Sequence, residues 1–237
     1  MSMIDSDDSL GKAAHLLEQA AHLQKQGQFR DAETLTGEAK LLAAASVQAC
    51  AEIDLFHAKL LINENRREEG LQKLSAMLIG YADCFKNPDG RNVYELVQLQ
   101  RAFSLMHIGK NEEARPVLEE ALSFQLECGV QSDVYCHLGP CYHELALYPL
   151  AKEQFECANS LGVSEDWQSV FHYYFGYTLY ELRDFQRAKR EFILCLQSGP
   201  AGPPESIRYA MLATTSRKLG EHTEARSYDE KAKSLKR

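Results

Sequence analysis

What this chain of 237 residues lacks narrows its function before anything it contains. It has no surplus of positive charge: 26 Lys and Arg stand against 34 Asp and Glu, a formal net charge of −8. That balance argues against non-specific binding to nucleic acid or to an anionic membrane, since both need a basic field. It has no apolar run near the roughly 18 residues that a bilayer-spanning helix needs. Its start, Met1 to Ser9, is acidic and polar, the opposite of a secretory leader. It has no CxxC pair, and its seven cysteines are an odd number scattered through helical patterns. Those features predict reduced thiols in the cytoplasm rather than a disulfide framework. It has no G-x-S-x-G, no phosphate-binding loop and no H-E-x-x-H. Gly199 to Pro204 lacks the Lys-Ser/Thr of a phosphate loop and reads as a linker. Glu112-Glu113 and Glu119-Glu120 read as solvated helix faces rather than acid/base pairs. The sequence predicts no enzyme, and no cofactor.

What the chain does contain is helical periodicity that repeats. Tyr135, Leu138, Gly139 and Tyr142 are followed by Ala151, Phe155 and Ala158, and 37 positions on stand His172, Phe175, Gly176, Leu179, Ala188, Phe192 and Cys195. Pro200 closes the second block. A glycine on one helix, and an alanine on the next, let two antiparallel helices approach closely. A Phe one turn away fills the space toward the following pair. No single pair buries its apolar face, so pairs of this kind must stack. The pattern resembles the tetratricopeptide repeat, W-x2-L-G-x2-Y followed by A-x3-F and P. The resemblance implies an all-α, right-handed solenoid of about six helix pairs, and a helical binding scaffold. The corresponding small residues are Ala32, Gly70, Ala114, Ala151, Ala188 and Ala225, in steps of 38, 44, 37, 37 and 37. The family step is about 34 residues, so each pair is expected to be longer than usual.

In chain order, residues 1–9 are expected to form a disordered lead-in, and residues 10–237 a single repeat domain. Ala13, Leu16, Leu17, Ala20 and Leu23 form the first apolar stripe, ended by Gly27. The second helix of repeat two is expected to run to about Phe85. Lys86-Asn87-Pro88-Asp89-Gly90 then reads as the clearest loop of the chain. Gly70 predicts close backbone contact, because a mid-helix glycine costs about 1 kcal/mol relative to alanine. Pro140, in the middle of a first helix, predicts a kink or a broken hydrogen bond. In the last repeat, polar Asp229 replaces the large residue after Ala225, and the tail carries Lys231, Lys233, Lys236 and Arg237. That reads as a solubilising cap.

In this family the first helices line a concave groove. The resemblance places Phe56, Lys59, Phe103, His143, Tyr173, Tyr177, Tyr180 and Arg217 on it. Tyrosines combine an apolar body with a polar tip and recur at binding hot spots. The same rings would serve equally as filler between long helices. Some members clamp a peptide carboxylate with Lys, Asn and Arg; the matching positions here are Leu17, Ala21, Phe56, Asp133 and His137, which argue against such a clamp. Cys128, Cys136, His137, Cys141 and His143 are the densest set of metal-ligand types, but they lack the paired spacing of a zinc site. The expected function is a non-catalytic adaptor holding a peptide, a helix or a partner's tail, with no nucleic acid or membrane partner and room for a homo-oligomer. A regulatory sensor, whose superhelix responds to a peptide or small ligand, is the alternative.

Overall fold

In a computed structural model that describes residues 3–124, 126–199 and 202–235, every regular element among the described residues is an α-helix. Met1, Ser2, Pro200, Lys236 and Arg237, and the side chains of Asp5, Asp7 and Asp89, lie outside what is described. The helices pack as two compact units. The first, Met1–Lys110, holds α1 (Met3–Lys25), α2 (Phe29–Leu42), α3 (Val47–Asn63), α4 (Arg67–Gly80), the single turn α5 (Ala82–Phe85) and α6 (Pro88–His107). The second, Asn111–Arg237, holds α7 (Asn111–Ala121), α8 (Cys128–Glu144), α9 (Tyr148–Leu161), α10 (Glu165–Glu181), α11 (Phe185–Gln197), α12 (Glu205–Lys218) and α13 (His222–Ser234). Where one domain over 10–237 was expected, the division between units falls inside the third repeat, just after its turn at Gly109.

Six turns share one geometry. The chain leaves α1, α3, α6, α8, α10 and α12 through a left-handed residue: Gly27, Asn65, Gly109, Ala146, Arg183 and Gly220, with φ between 57° and 79°. In each, the next N–H reaches back five residues, as from Gln28 to Leu23 at 3.0 Å, Leu147 to Tyr142 at 2.8 Å and Asp184 to Leu179 at 2.9 Å. This bond satisfies a carbonyl that the end of a helix would otherwise leave without a partner. The turn residues are separated by 38, 44, 37, 37 and 37 positions, the same steps as the small residues of the second helices. Two unrelated chemical requirements, a left-handed turn and a close helix approach, therefore report one register of six repeats.

The small residues do what their spacing predicts. Ala32, Ala114, Ala151, Ala188 and Ala225 are all buried, and a Cβ on Gly70 would stand 2.6 Å from Ile62 Cγ1 and 3.0 Å from the Ala58 carbonyl. A Cβ on Gly139 would meet the Phe155 ring at 2.4 Å, and one on Gly176 the Phe192 ring at 2.9 Å. Phe155 in turn lies 5.5 Å from Phe171 and 5.4 Å from Phe175, centroid to centroid, so α9 closes its own pair and the next. Each such fully buried ring contributes roughly 2–3 kcal/mol of transfer free energy.

Several expectations are corrected by local chemistry. Helix α1 begins at Met3, so the stretch read as a lead-in is helical from there. The second helix of repeat two does not run to Phe85. It stops at Gly80, and Tyr81 leaves the helix with φ −111° while its hydroxyl donates to Asp54. The loop at Lys86 is short: Asn87 stands at the N-cap position of α6 without a side-chain capping bond, and Pro88 takes the first helical position, which needs no N–H donor. Gly90 is a packing residue, since a Cβ there would lie 2.2 Å from the Cys84 carbonyl. At Pro140 the expectation holds in its second form: helix α8 continues to Glu144, and the hydrogen bond to the carbonyl one turn back is missing because proline has no N–H.

Candidate functional site

In the second unit α8 and α10 are first helices of consecutive repeats and pack side by side. The ends of both, with the start of α9, assemble a patch of aromatic side chains. His143, in the last turn of α8, is its centre. Its ring centroid lies 4.7 Å from that of Tyr177, 5.3 Å from Tyr148 and 5.7 Å from Tyr174. His143 Nδ1 and Thr178 Oγ1 share a 2.9 Å hydrogen bond. The side chain is 7% exposed, and this burial pulls its pKa down to about 4. The imidazole is therefore neutral at pH 7 and forms the floor of the patch rather than a charged contact on a groove face.

The tyrosines stand over that floor. Tyr173 lies 5.4 Å from Tyr174 and 6.2 Å from Tyr177, and all three are partly exposed. Burial pushes their phenols up. Beyond burial, the Glu144 carboxylate acts the same way on Tyr174, and that of Glu181 on Tyr177. These rings are partly desolvated, and carboxylates stand beside them. Tyr180 turns its edge to Phe185 at 5.3 Å and lines an open depression of about 400 Å³ with Glu181, Arg183, Phe185 and Lys218.

Of the eight residues assigned to the groove, the second unit brings together His143, Tyr173 and Tyr177, with Tyr180 at the margin. Arg217 is exposed and forms an ion pair with Asp229. That pairing accounts for the polar residue in the slot that holds Phe155 and Phe192 in other repeats. Phe56, Lys59 and Phe103 belong to the first unit and are half-buried. Phe56 packs against the core of Ala20, Ala32 and Leu60, and burial lowers the pKa of Lys59. Sequence reasoning missed Tyr148, Tyr174, Thr178 and Glu144. The signal for two of them was present: Tyr174, Tyr177, Thr178 and Glu181 fall at i, i+3, i+4 and i+7, one face of a helix.

The cysteine and histidine set is dispersed into separate roles. Cys128 is exposed, and Cys136 and Cys141 are buried. Burial raises their thiols to about 12 and about 11, as expected of small apolar side chains in packing slots. His137 Nδ1 lies 2.7 Å from the Asp133 carbonyl, and its ring 4.3 Å from that of Trp167. Among the described residues no three His, Cys, Asp or Glu side chains are grouped to hold a metal. No helix among them is long and apolar enough to cross a membrane.

A scan of protein-family models and a search of curated proteins find no match to the chain. Solved structures do match. The PilF protein of Pseudomonas aeruginosa superposes with a TM-score of 0.73 over 97% of this chain and 93% of its own, at 18% identity. A tetratricopeptide repeat protein from Parabacteroides merdae gives 0.65 over 95% and 80%, at 17% identity. YrrB, described as a TPR protein with an unusual peptide-binding site, gives 0.57 over 78% and 86%, at 18% identity. At such identities likeness speaks for fold alone, and the fold of this chain is the all-α tetratricopeptide-repeat solenoid.

Proposed function

We propose that this chain is a non-catalytic, cytoplasmic scaffold that binds a protein partner, holding a peptide, a helix or a tail on its first helices with the aromatic patch of α8 and α10 as an anchor. The observation that carries this reading is the state of Tyr173, Tyr174 and Tyr177. They are three contiguous large rings, neither sealed in the core nor scattered singly over the surface. Contiguous aromatic surface is costly to leave in water unless a partner covers it, and tyrosine loses little conformational entropy when it is covered. A peptide-binding site in the similarly folded YrrB supports a peptide-like occupant. Seven free cysteines support a reducing compartment.

The test is affinity capture from the native host, identification of the partner by mass spectrometry, then binding isotherms with Tyr177→Ala. The variant should weaken binding by roughly 1–2 kcal/mol, as hot-spot aromatics do. Its cost in folding should stay below the roughly 3–5 kcal/mol of a truncated core aromatic. A large fall in melting temperature with unchanged affinity would make these tyrosines core filler and remove the anchor.

A further inference from the structure

The chemistry of the patch specifies what it would hold. We propose that the seam of α8 and α10 receives a basic side chain, arginine or lysine, of the partner against the faces of Tyr173, Tyr174 and Tyr177, with Glu144 and Glu181 as counter-charges. The inference rests on the scaffold reading above and goes further by naming the residue type that anchors the partner. Three observations carry it. The first is geometric: Tyr173 lies 5.4 Å from Tyr174 and 6.2 Å from Tyr177, so the three rings form one contiguous strip that offers more than one π-face to a cation. A guanidinium or ammonium within about 6 Å of an aromatic face is attracted by the ring quadrupole.

The second concerns the carboxylates. Glu144 and Glu181 are exposed, and each acts electrostatically on at least one tyrosine of the patch. Among the described residues, neither has a cationic side chain of the protein within 4.0 Å. Arg187 pairs with Glu156 at 3.0 Å and Lys189 with Glu221 at 2.7 Å, while Arg183 and Lys218 line the same depression as Tyr180 and Glu181 but form no ion pair with Glu181. The third is the neutral floor. Buried His143, with its pKa near 4, adds no positive charge at pH 7 to oppose an incoming cation. The formal charge of −8 on the whole chain likewise favours a cationic partner at long range. An acidic or carboxylate-terminated peptide would meet the opposite arrangement.

The probe is a short capped peptide carrying two arginines, compared with its citrulline and glutamate counterparts. Binding is followed by the NMR signals of the tyrosine rings at physiological salt. The arginine peptide should shift the rings of Tyr173, Tyr174 and Tyr177 saturably, and the other two peptides should not. The double variant Glu144→Gln with Glu181→Gln should weaken arginine-peptide binding about fivefold or more. Glu153→Gln with Glu165→Gln makes the same change of charge at two exposed positions of the same unit and should change binding less than about twofold. Equal weakening by both double variants would show a diffuse net-charge effect and overturn the proposal, as would unmoved tyrosine signals or equal binding of the glutamate peptide. The two readings fail separately. A captured partner that still depends on Tyr177, with the arginine peptide ignored, sinks the basic anchor and spares the scaffold. Arginine-peptide binding with a partner indifferent to Tyr177→Ala does the reverse.

Discussion

Acid should loosen the second unit through one residue, His143. In an unfolded chain its imidazole titrates near 6.5. In the fold, burial against Tyr148, Tyr174 and Tyr177 draws the value to about 4. Between those two values the unfolded state holds more protons than the folded one, so stability declines as pH falls. His143 therefore costs nothing above about pH 7, and its penalty grows from about 6.5 down to about 4. At about 1.4 kcal/mol per pH unit the gap caps the loss at about 3.5 kcal/mol, with roughly 2.5 kcal/mol gone by pH 4.5. The assay is urea unfolding at a series of pH values from 7.5 to 4.5 on the natural chain and on His143→Phe. The variant keeps an aromatic ring in place and removes the titration. It leaves Thr178 without its 2.9 Å partner, which shifts its whole curve by roughly 1–3 kcal/mol but adds no slope. Carboxylates such as Asp54 and Glu33, which the fold holds below their usual range, contribute equally to both proteins. The natural chain should lose roughly 2–3 kcal/mol more than the variant across the series. Parallel curves, or a His143 ring signal titrating near 6.5, would refute the reasoning.

Other predictions test the packing. Gly139→Ala should destabilise by roughly 1–3 kcal/mol because its methyl would press on the Phe155 ring, whereas Gly11→Ala in α1, with nothing within 4 Å, should stabilise by about 0.5–1 kcal/mol; chemical denaturation of both reads the contrast. Ala146→Gly should raise the urea midpoint by an equivalent of about 0.5–1 kcal/mol, since alanine at φ 57° carries strain that glycine escapes. Asp54 is 8% exposed and holds Lys40 at 2.7 Å and Lys73 at 2.9 Å, and Asp54→Asn should cost roughly 1–3 kcal/mol in the same assay, below the usual figure for a broken buried pair because both lysines can turn to water. Maleimide labelling of the native protein at pH 7.5 should modify exposed Cys128 and Cys157 well before buried Cys136, Cys141 and Cys195, with all seven thiols reacting in denaturant; a protected pair in denaturant would mean a disulfide.

The repeat register was legible because it rests on residues whose size is the message. Gly139, Gly176 and the alanines from Ala32 to Ala225 can occupy their positions only where helices approach closely, so composition and spacing revealed them without any alignment. Turns were half legible. Gly27, Gly109 and Gly220 announce a left-handed residue, and Asn65 does so more weakly, but Ala146 and Arg183 adopt the same geometry and leave no such mark. The region after Gly80 was misread for a related reason. Proline and glycine at positions 88 and 90 suggest a loop, yet proline also suits a helix start, and glycine also suits a contact with the Cys84 carbonyl. Which use applies is decided by the neighbouring chain, and sequence at one position does not contain it. The boundary between units in the third repeat had no compositional mark at all, since Gly109 turns the chain as Gly27 and Gly220 do.

The aromatic patch was legible only in part, and the reason lies in how it is assembled. The resemblance set His143, Tyr173, Tyr177 and Tyr180 on first helices, but spacing along one helix joined only the three tyrosines, because only residues of one element have a fixed spacing. The patch, however, lies across two helices one repeat apart. Tyr177 and Thr178 stand 34 and 35 positions after His143, slightly less than the 37-residue repeat, and they make the ring contact and the hydrogen bond that fix the imidazole. That offset is a property of the stacking rather than of these residues. Ser132 shows a regularity within the repeat instead: its hydroxyl lies over the Ala158 carbonyl and donates to the Gly162 carbonyl at 2.7 Å, and 37 positions on Ser169 lies over the Cys195 carbonyl. Once the register of a repeat array is known, residues about one repeat apart on successive first helices become neighbours by construction. A polar residue and an aromatic at that separation are then a candidate pair before any coordinates exist. Applied to α8 and α10, the rule selects His143 with Tyr177, and it sets His143 beneath the tyrosines, where burial rather than charge decides what it does.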